Sequence, residues 1–176
     1  KDIKGQLNKE TDPQGEENTY EYDNYDRLIK STDPEGNSTE YTYDENGNQL
    51  STLDPNQNET HLTYDPLNRV TTKVNAENGL TAFEYDVMGK IVKITDPMNY
   101  EITYSYNHNG DVSTITDKKG NATYYTYNNL NKIDSVTDPL GNTTRYEYNL
   151  NGDIEKIIDP LGNETIYQYD ENGNII

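Results

Sequence analysis

The chain has 176 residues, of which 30% are hydrophobic, and a formal net charge of −18. The apolar share is too small for a conventional packed core, and so acidic a chain repels phosphate and anionic lipid, which argues against nucleic acid and membrane insertion. Cysteine is absent, so there is no disulfide framework and no thiolate metal site.

Such a composition commonly means disorder, but two features oppose that reading. The chain contains 17 tyrosines, and it is strictly periodic. The second tyrosine of each Tyr-X-Tyr falls at Tyr22, Tyr43, Tyr64, Tyr85, Tyr106, Tyr127, Tyr148 and Tyr169, a constant interval of 21 residues. Eight copies in one register mark a repeat protein. We read residues 1–176 as a single array. Its start at Lys1, without an initiating Met or a signal peptide, reads as a fragment of a much larger protein. No apolar run approaches the ~18 residues of a membrane-spanning helix.

Within a copy, the first predicted element is an Asp-Pro-X-Gly turn. Its first slot holds Asp12, Asp33, Asp54, Asn75, Asp96, Asp117, Asp138 and Asp159, and proline follows except at Ala76 and Lys118. Its fourth slot, predicted to be left-handed, holds Gly15, Gly36, Gln57, Asn78, Asn99, Gly120, Gly141 and Gly162. Gly79 falls one residue late, which makes the turn of the fourth copy a candidate irregularity.

A strand of about six residues comes next. Thr39, Tyr41 and Tyr43 alternate with Glu40 and Thr42, so the tyrosines share one face. The first aromatic slot reads Tyr20, Tyr41, Leu62, Phe83, Tyr104, Tyr125, Tyr146 and Tyr167. The second turn follows each ladder tyrosine, with Asp23, Asp44, Asp65, Asp86, Asn107, Asn128, Asn149 and Asp170 in its first slot. Its left-handed slot holds Asp26, Gly47, Asn68, Gly89, Gly110, Asn131, Gly152 and Gly173. Asp or Asn first, Pro66 allowed second and Gly fourth describe a type I turn closed by a left-handed residue, a common hairpin connection with a G1 bulge.

The return strand is apolar at Leu28, Val70, Ile91, Val112, Ile133, Ile154 and Ile175, with Gln49 as the misfit. It is often apolar again three residues on, at Ile94, Ile115, Val136 and Ile157. A spacing of three breaks the strand period of two, so either a bulge re-aims the strand or both faces are partly covered. The predicted architecture is all-β, an antiparallel meander of about sixteen short strands. Its tyrosines form two ladders, which take all but Tyr25, Tyr100 and Tyr124. A flat single layer buries too little to offset chain entropy, so a curled or spiralling strip is expected, or a tyrosine face packed against another copy or domain. The open edge strands and the tyrosine face are routes to self-association.

No catalytic motif is present: there is no nucleophile elbow, no phosphate-cradling loop and no His-X-X-X-His pair. His61 and His108 occupy non-equivalent slots and read as ordinary strand and turn residues. Strings such as Asp44 to Asn48 look like calcium loops but offer too few oxygens for the six to eight that calcium takes. We therefore expect no cofactor and no metal. A tyrosine ladder could stack on sugars, although glycan-binding repeats of this length rely on tryptophan, which the chain lacks. The Asn-X-Ser/Thr triplets at Asn37, Asn58, Asn121, Asn142 and Asn163 share one repeat position and follow from the repeat itself.

The unit, seen in Tyr41-Thr42-Tyr43-Asp44-Glu45-Asn46-Gly47 and in Thr137-Asp138-Pro139-Leu140-Gly141-Asn142, resembles the YD repeat of the RHS (rearrangement hot spot) family over essentially the whole chain. The resemblance implies repeats that spiral into a hollow β-shell. In bacteria such a shell encloses a C-terminal toxin domain of a large secreted or surface protein, while animal teneurins use a similar barrel for adhesion. The RHS-associated core that follows the repeats in some members has no counterpart here, and the repeats are fewer than a closed shell uses. The expectation is therefore a non-enzymatic piece of wall, secreted or at the cell surface, whose partners are the rest of its parent chain and an enclosed toxin domain. The alternative is a cell-surface adhesion or carbohydrate-binding module.

Overall fold

The computed structural model describes residues 6–176 and contains sixteen strands. They are β1 (Lys9–Thr11), β2 (Glu17–Tyr22), β3 (Leu28–Thr32), β4 (Ser38–Tyr43), β5 (Gln49–Leu53), β6 (Glu59–Tyr64), β7 (Val70–Val74) and β8 (Leu80–Tyr85). Then come β9 (Ile91–Thr95), β10 (Glu101–Tyr106), β11 (Val112–Thr116), β12 (Ala122–Tyr127), β13 (Ile133–Thr137), β14 (Thr143–Tyr148), β15 (Ile154–Ile158) and β16 (Glu164–Ile166). They belong to one open sheet whose strand order is the chain order. The long-range contacts fall into two compact units. One runs to Glu84 and takes in Ile94–Asn99, and the other comprises Tyr85–Lys93 and Tyr100–Ile176.

The spacing of three on the return strand comes from a bulge. Opposite Thr42 lies Ser51, but opposite Tyr43 lies Gln49, so Leu50 is an extra residue. The same slip recurs at Glu21/Tyr22, Thr63/Tyr64, Ser105/Tyr106, Thr126/Tyr127 and Glu147/Tyr148. An extra residue rotates the strand by half a period. Val112 and Ile115, three apart, therefore both lie opposite tyrosines, Tyr106 and Tyr104. Ile154 and Ile157 face Tyr148 and Tyr146 in the same way.

The turn of the fourth copy is regular, not irregular. Asn78 takes the left-handed conformation at φ 60°, and its N–H donates to the Asn75 carbonyl at 2.9 Å as in the other copies. Gly79 is not left-handed. A Cβ there would lie 2.9 Å from Asn75 Oδ1 and 3.1 Å from Pro97 Cβ, so close packing, not φ, explains this glycine.

Among the described residues no hydrophobic side chain is fully buried. The aromatic slots from Tyr20 to Tyr169 are half-buried along one face. The buried residues are Ser51 and Ser135, on the opposite face. Each is a small side chain between two larger cross-strand neighbours: Thr42 and His61 for Ser51, Thr126 and Arg145 for Ser135.

Candidate functional site

No single pocket stands out, and the repeating unit itself is the candidate. Its turns are built from the aspartate outward. Gly47 N–H donates to the Asp44 carbonyl at 3.2 Å, closing a type I turn, and Asp44 N–H donates to the Asn48 carbonyl at 2.9 Å. Positive φ occurs at Asp26, Gln57, Asn68, Asn78, Asn99 and Asn131, and at Gly15, Gly36, Gly47, Gly89, Gly110, Gly120, Gly141, Gly152, Gly162 and Gly173. Side-chain geometry then locks the loop. Asp138 Oδ1 accepts from the N–H groups of Leu140 and Asn142 at 2.9 and 2.8 Å, while Oδ2 accepts from Asn142 Nδ2 at 2.8 Å. Asn37, Asn58, Asn121 and Asn163 make the same amide bond to Asp33, Asp54, Asp117 and Asp159.

In the Tyr-Asp turn the first and fifth residues form reciprocal pairs. Asp23 and Asp65 take Arg27 and Arg69, at 2.6 Å in both pairs. At Asn107 and Asn149 the roles reverse, their Nδ2 groups donating to Asp111 and Asp153 at 3.1 Å, while Asn128 accepts the backbone N–H of Lys132 at 3.1 Å. No copy pairs two carboxylates at these positions.

The ladder tyrosines connect one hairpin to the next. Tyr43 Oη donates to the Leu28 carbonyl at 2.8 Å, Tyr64 to Gln49 at 2.7 Å and Tyr106 to Ile91 at 2.6 Å. Tyr127, Tyr148 and Tyr169 donate to Val112, Ile133 and Ile154, each at 2.8 Å, and Tyr22 donates to Leu7 at 3.0 Å. Each bond spans 15 residues. The reason is visible at β3 and β4, whose ladder covers Lys30↔Glu40 to Thr32↔Ser38. Leu28 lies beyond that ladder, and the phenol supplies the donor its carbonyl would otherwise lack. Burial pushes the phenols of Tyr43, Tyr64, Tyr106, Tyr127 and Tyr148 above the usual tyrosine pKa.

Cations make a second connection between neighbouring hairpins, in the opposite direction, reaching forward to the next turn. Arg27 Nη1 donates to the Asp44 carbonyl at 2.7 Å, and its guanidinium lies 4.8 Å from the Tyr43 ring. Lys90 donates to the Gly110 carbonyl over Tyr106, and Lys132 to the Gly152 carbonyl over Tyr148. Sequence reasoning missed these bridges, although a cation directly after the left-handed slot was the available signal. On the opposite face Thr42 meets Ser51 at 2.8 Å and Thr126 meets Ser135 at 2.7 Å, while Lys30 pairs with Glu40 at 2.8 Å.

His61 lies 3.3 Å from Glu59 in a strand, and His108 sits in a turn, in different repeats. No group of three or more His, Asp or Glu side chains among the described residues is placed to hold a metal. What the unit offers chemically is cohesion: its acidic, phenolic and cationic groups bind its own backbone and its neighbours.

A family model described as teneurin YD-shell matches residues 2–140, and one described as RHS repeat matches residues 148–176. No curated protein matches the chain in sequence. Among solved structures, TcdB2-TccC3-Cdc42 superposes with a TM-score of 0.75 at 18% identity over 91% of this chain. The Photorhabdus luminescens Tc holotoxin pore, in a TccC3 mutant form, gives 0.74 at 17% over 91%. TcdB2-TccC3-TEV gives 0.60 at 17% over 99%. At such identities the likeness is one of fold, and the chain spans only 10–12% of the length of those chains.

Proposed function

The chain belongs to the teneurin YD-shell family, and from that premise we propose that it is a non-enzymatic wall segment of a secreted or surface-exposed bacterial toxin-like protein, whose β-shell encloses a C-terminal toxin domain. The family is one of structural repeats. The observation that carries the reading is the hydroxyl-to-carbonyl bond made by Tyr22, Tyr43, Tyr64, Tyr106, Tyr127, Tyr148 and Tyr169, each of which ties its hairpin to the segment fifteen residues before it. A side chain so used is committed to the wall, and its polar end is not free to meet a substrate.

Thermal unfolding in the presence of calcium, magnesium and a panel of cell-wall and surface glycans tests this reading. A wall segment melts at one temperature regardless of the addition. A ligand held at about 100 times its Kd would add ~2.7 kcal/mol, which raises the melt by roughly 5–10 °C at this size. A saturable rise of that kind with one sugar would replace the wall with a surface-binding module. Limited proteolysis of the full-length parent tests enclosure: the domain after the repeats should survive until the repeats are cut. Cleavage there at the rate of a free domain would remove the enclosed toxin from the reading.

A further inference from the structure

The backbone does not tell one hairpin from another. The ladder that joins successive hairpins is three residue pairs long at β3–β4, β5–β6, β7–β8, β11–β12, β13–β14 and β15–β16 alike. The tyrosine hydroxyls end on carbonyls, which every residue carries. A hairpin laid against the wrong copy would keep all of these bonds. What differs between seams is the fifth residue of one Tyr-Asp turn and the left-handed residue of the next.

Where the fifth residue is lysine, the next left-handed residue is glycine. Lys90 donates to the Gly110 carbonyl and Lys132 to the Gly152 carbonyl, and a Cβ on either glycine would collide with the lysine Nζ. Where the fifth residue is Asn48 or Asp111, the next left-handed residue is asparagine. Asn48 Nδ2 donates to Asn68 Oδ1 at 2.8 Å, and Asp111 Oδ1 accepts from Asn131 Nδ2 at 3.0 Å. Asn68 and Asn131 both stand at φ 61°, so the backbone accepts either residue type and the neighbouring hairpin chooses between them. Arg27 reaches past the slot to the Asp44 carbonyl, and nothing lies within 4 Å of a Cβ at Gly47. Asp153 is followed by Gly173, which has no side chain to offer it.

We propose that these two slots are specificity determinants, through which each hairpin recognises the copy that is to follow it. Within the unit formed by Tyr85–Lys93 and Tyr100–Ile176, the two kinds of seam alternate as Lys90/Gly110, Asp111/Asn131 and Lys132/Gly152. A slip by one copy sets Lys90 against Asn131, whose Cβ takes the space the ammonium needs. The same slip sets Asp111 against Gly152, which has no side-chain donor. Both seams are lost together, although the strands themselves would still pair. Alternation thus penalises the register error to which a repeated sheet is most exposed.

Thermal unfolding of the whole chain tests the matching. Gly110→Asn alone should lower the melt by roughly 2–4 °C, and Lys90→Asn alone should do the same. Together they recreate the arrangement of Asp44, Asn48 and Asn68 and should recover most of the loss. Losses that simply add would overturn the proposal. Refolding tests the register. Asp111→Lys with Asn131→Gly copies Asn128, Lys132 and Gly152 and makes the three seams identical, so that a slip by one copy is no longer penalised. This variant should melt within about 2 °C of the wild type. After unfolding in denaturant and dilution it should return about half as much native monomer or less, the remainder forming swapped dimers or a second, lower transition. A variant that refolds as completely as the wild type, or that melts far below it, would overturn the proposal.

Discussion

A tyrosine whose hydroxyl reaches fifteen residues back holds two hairpins with one atom. Replacing Tyr127 by phenylalanine keeps the ring and leaves the Val112 carbonyl without its 2.8 Å donor. The expected loss is about 1 kcal/mol, or roughly 2–4 °C in the melt at this chain length. Tyr25→Phe, at an exposed turn tip, should change neither. Thermal unfolding of the two variants side by side makes the comparison. At this scale the left-handed slots are the readable part, because φ > 0 selects Gly, Asn and Asp by sterics alone. Gln57, at φ 65°, was placed there only by counting the period. The hydroxyl bond was not readable, since its acceptor is a backbone carbonyl whose side chain can be Leu28, Gln49 or Val112 without consequence.

The hairpin is the element on which pairing rules operate. Asn107 donates to Asp111, whereas Asp44 and Asp170 accept from Asn48 and Asn174, and Asp23 and Asp65 pair with Arg27 and Arg69. Asn107→Asp sets two part-buried carboxylates against each other and removes a donor, and should cost about 1–2 kcal/mol. Adding Asp111→Asn restores the arrangement of Asp44 with Asn48 and should recover most of the loss. Denaturant unfolding of the wild type, both single variants and the double variant gives the coupling. A double variant no more stable than Asn107→Asp would show that the pair is not the cause. Strand positions and turns were legible from the period. The choice between a bulge and two covered faces was not, because an extra residue such as Leu50 alters pairing without altering composition.

For the whole molecule the turns dominate the response to pH. The amide of Asn58, Asn121, Asn142, Asn163 or Asn174, followed by the backbone N–H of the same residue, holds Asp54, Asp117, Asp138, Asp159 or Asp170 below the usual carboxylate pKa. Folded values below unfolded ones make stability complete above about pH 4 and lost as pH falls through the lowered values. The phenols act with the opposite sign: raised folded values keep their contribution intact below about pH 10 and lose it above. The melting temperature should therefore form a plateau between these limits and fall on both sides, with the acid fall beginning below about pH 4. A melt that stays level down to pH 2 would contradict the role given to the turn aspartates. Net charge and composition bound what the chain can bind, but the absence of any fully buried hydrophobic side chain among the described residues is not legible in them, since half-burial of an alternating strand depends on what covers it.

An array in which neighbours in the chain are neighbours in the sheet, joined by side-chain bonds from one hairpin to the next, has a mechanical character. Tension applied between its ends loads one seam at a time, so the sheet should peel like a tape and not fail as a block. Each 21-residue copy released would lengthen the chain by about 70 Å. A force–extension trace should then be a staircase of nearly equal steps, because every copy releases the same length of chain.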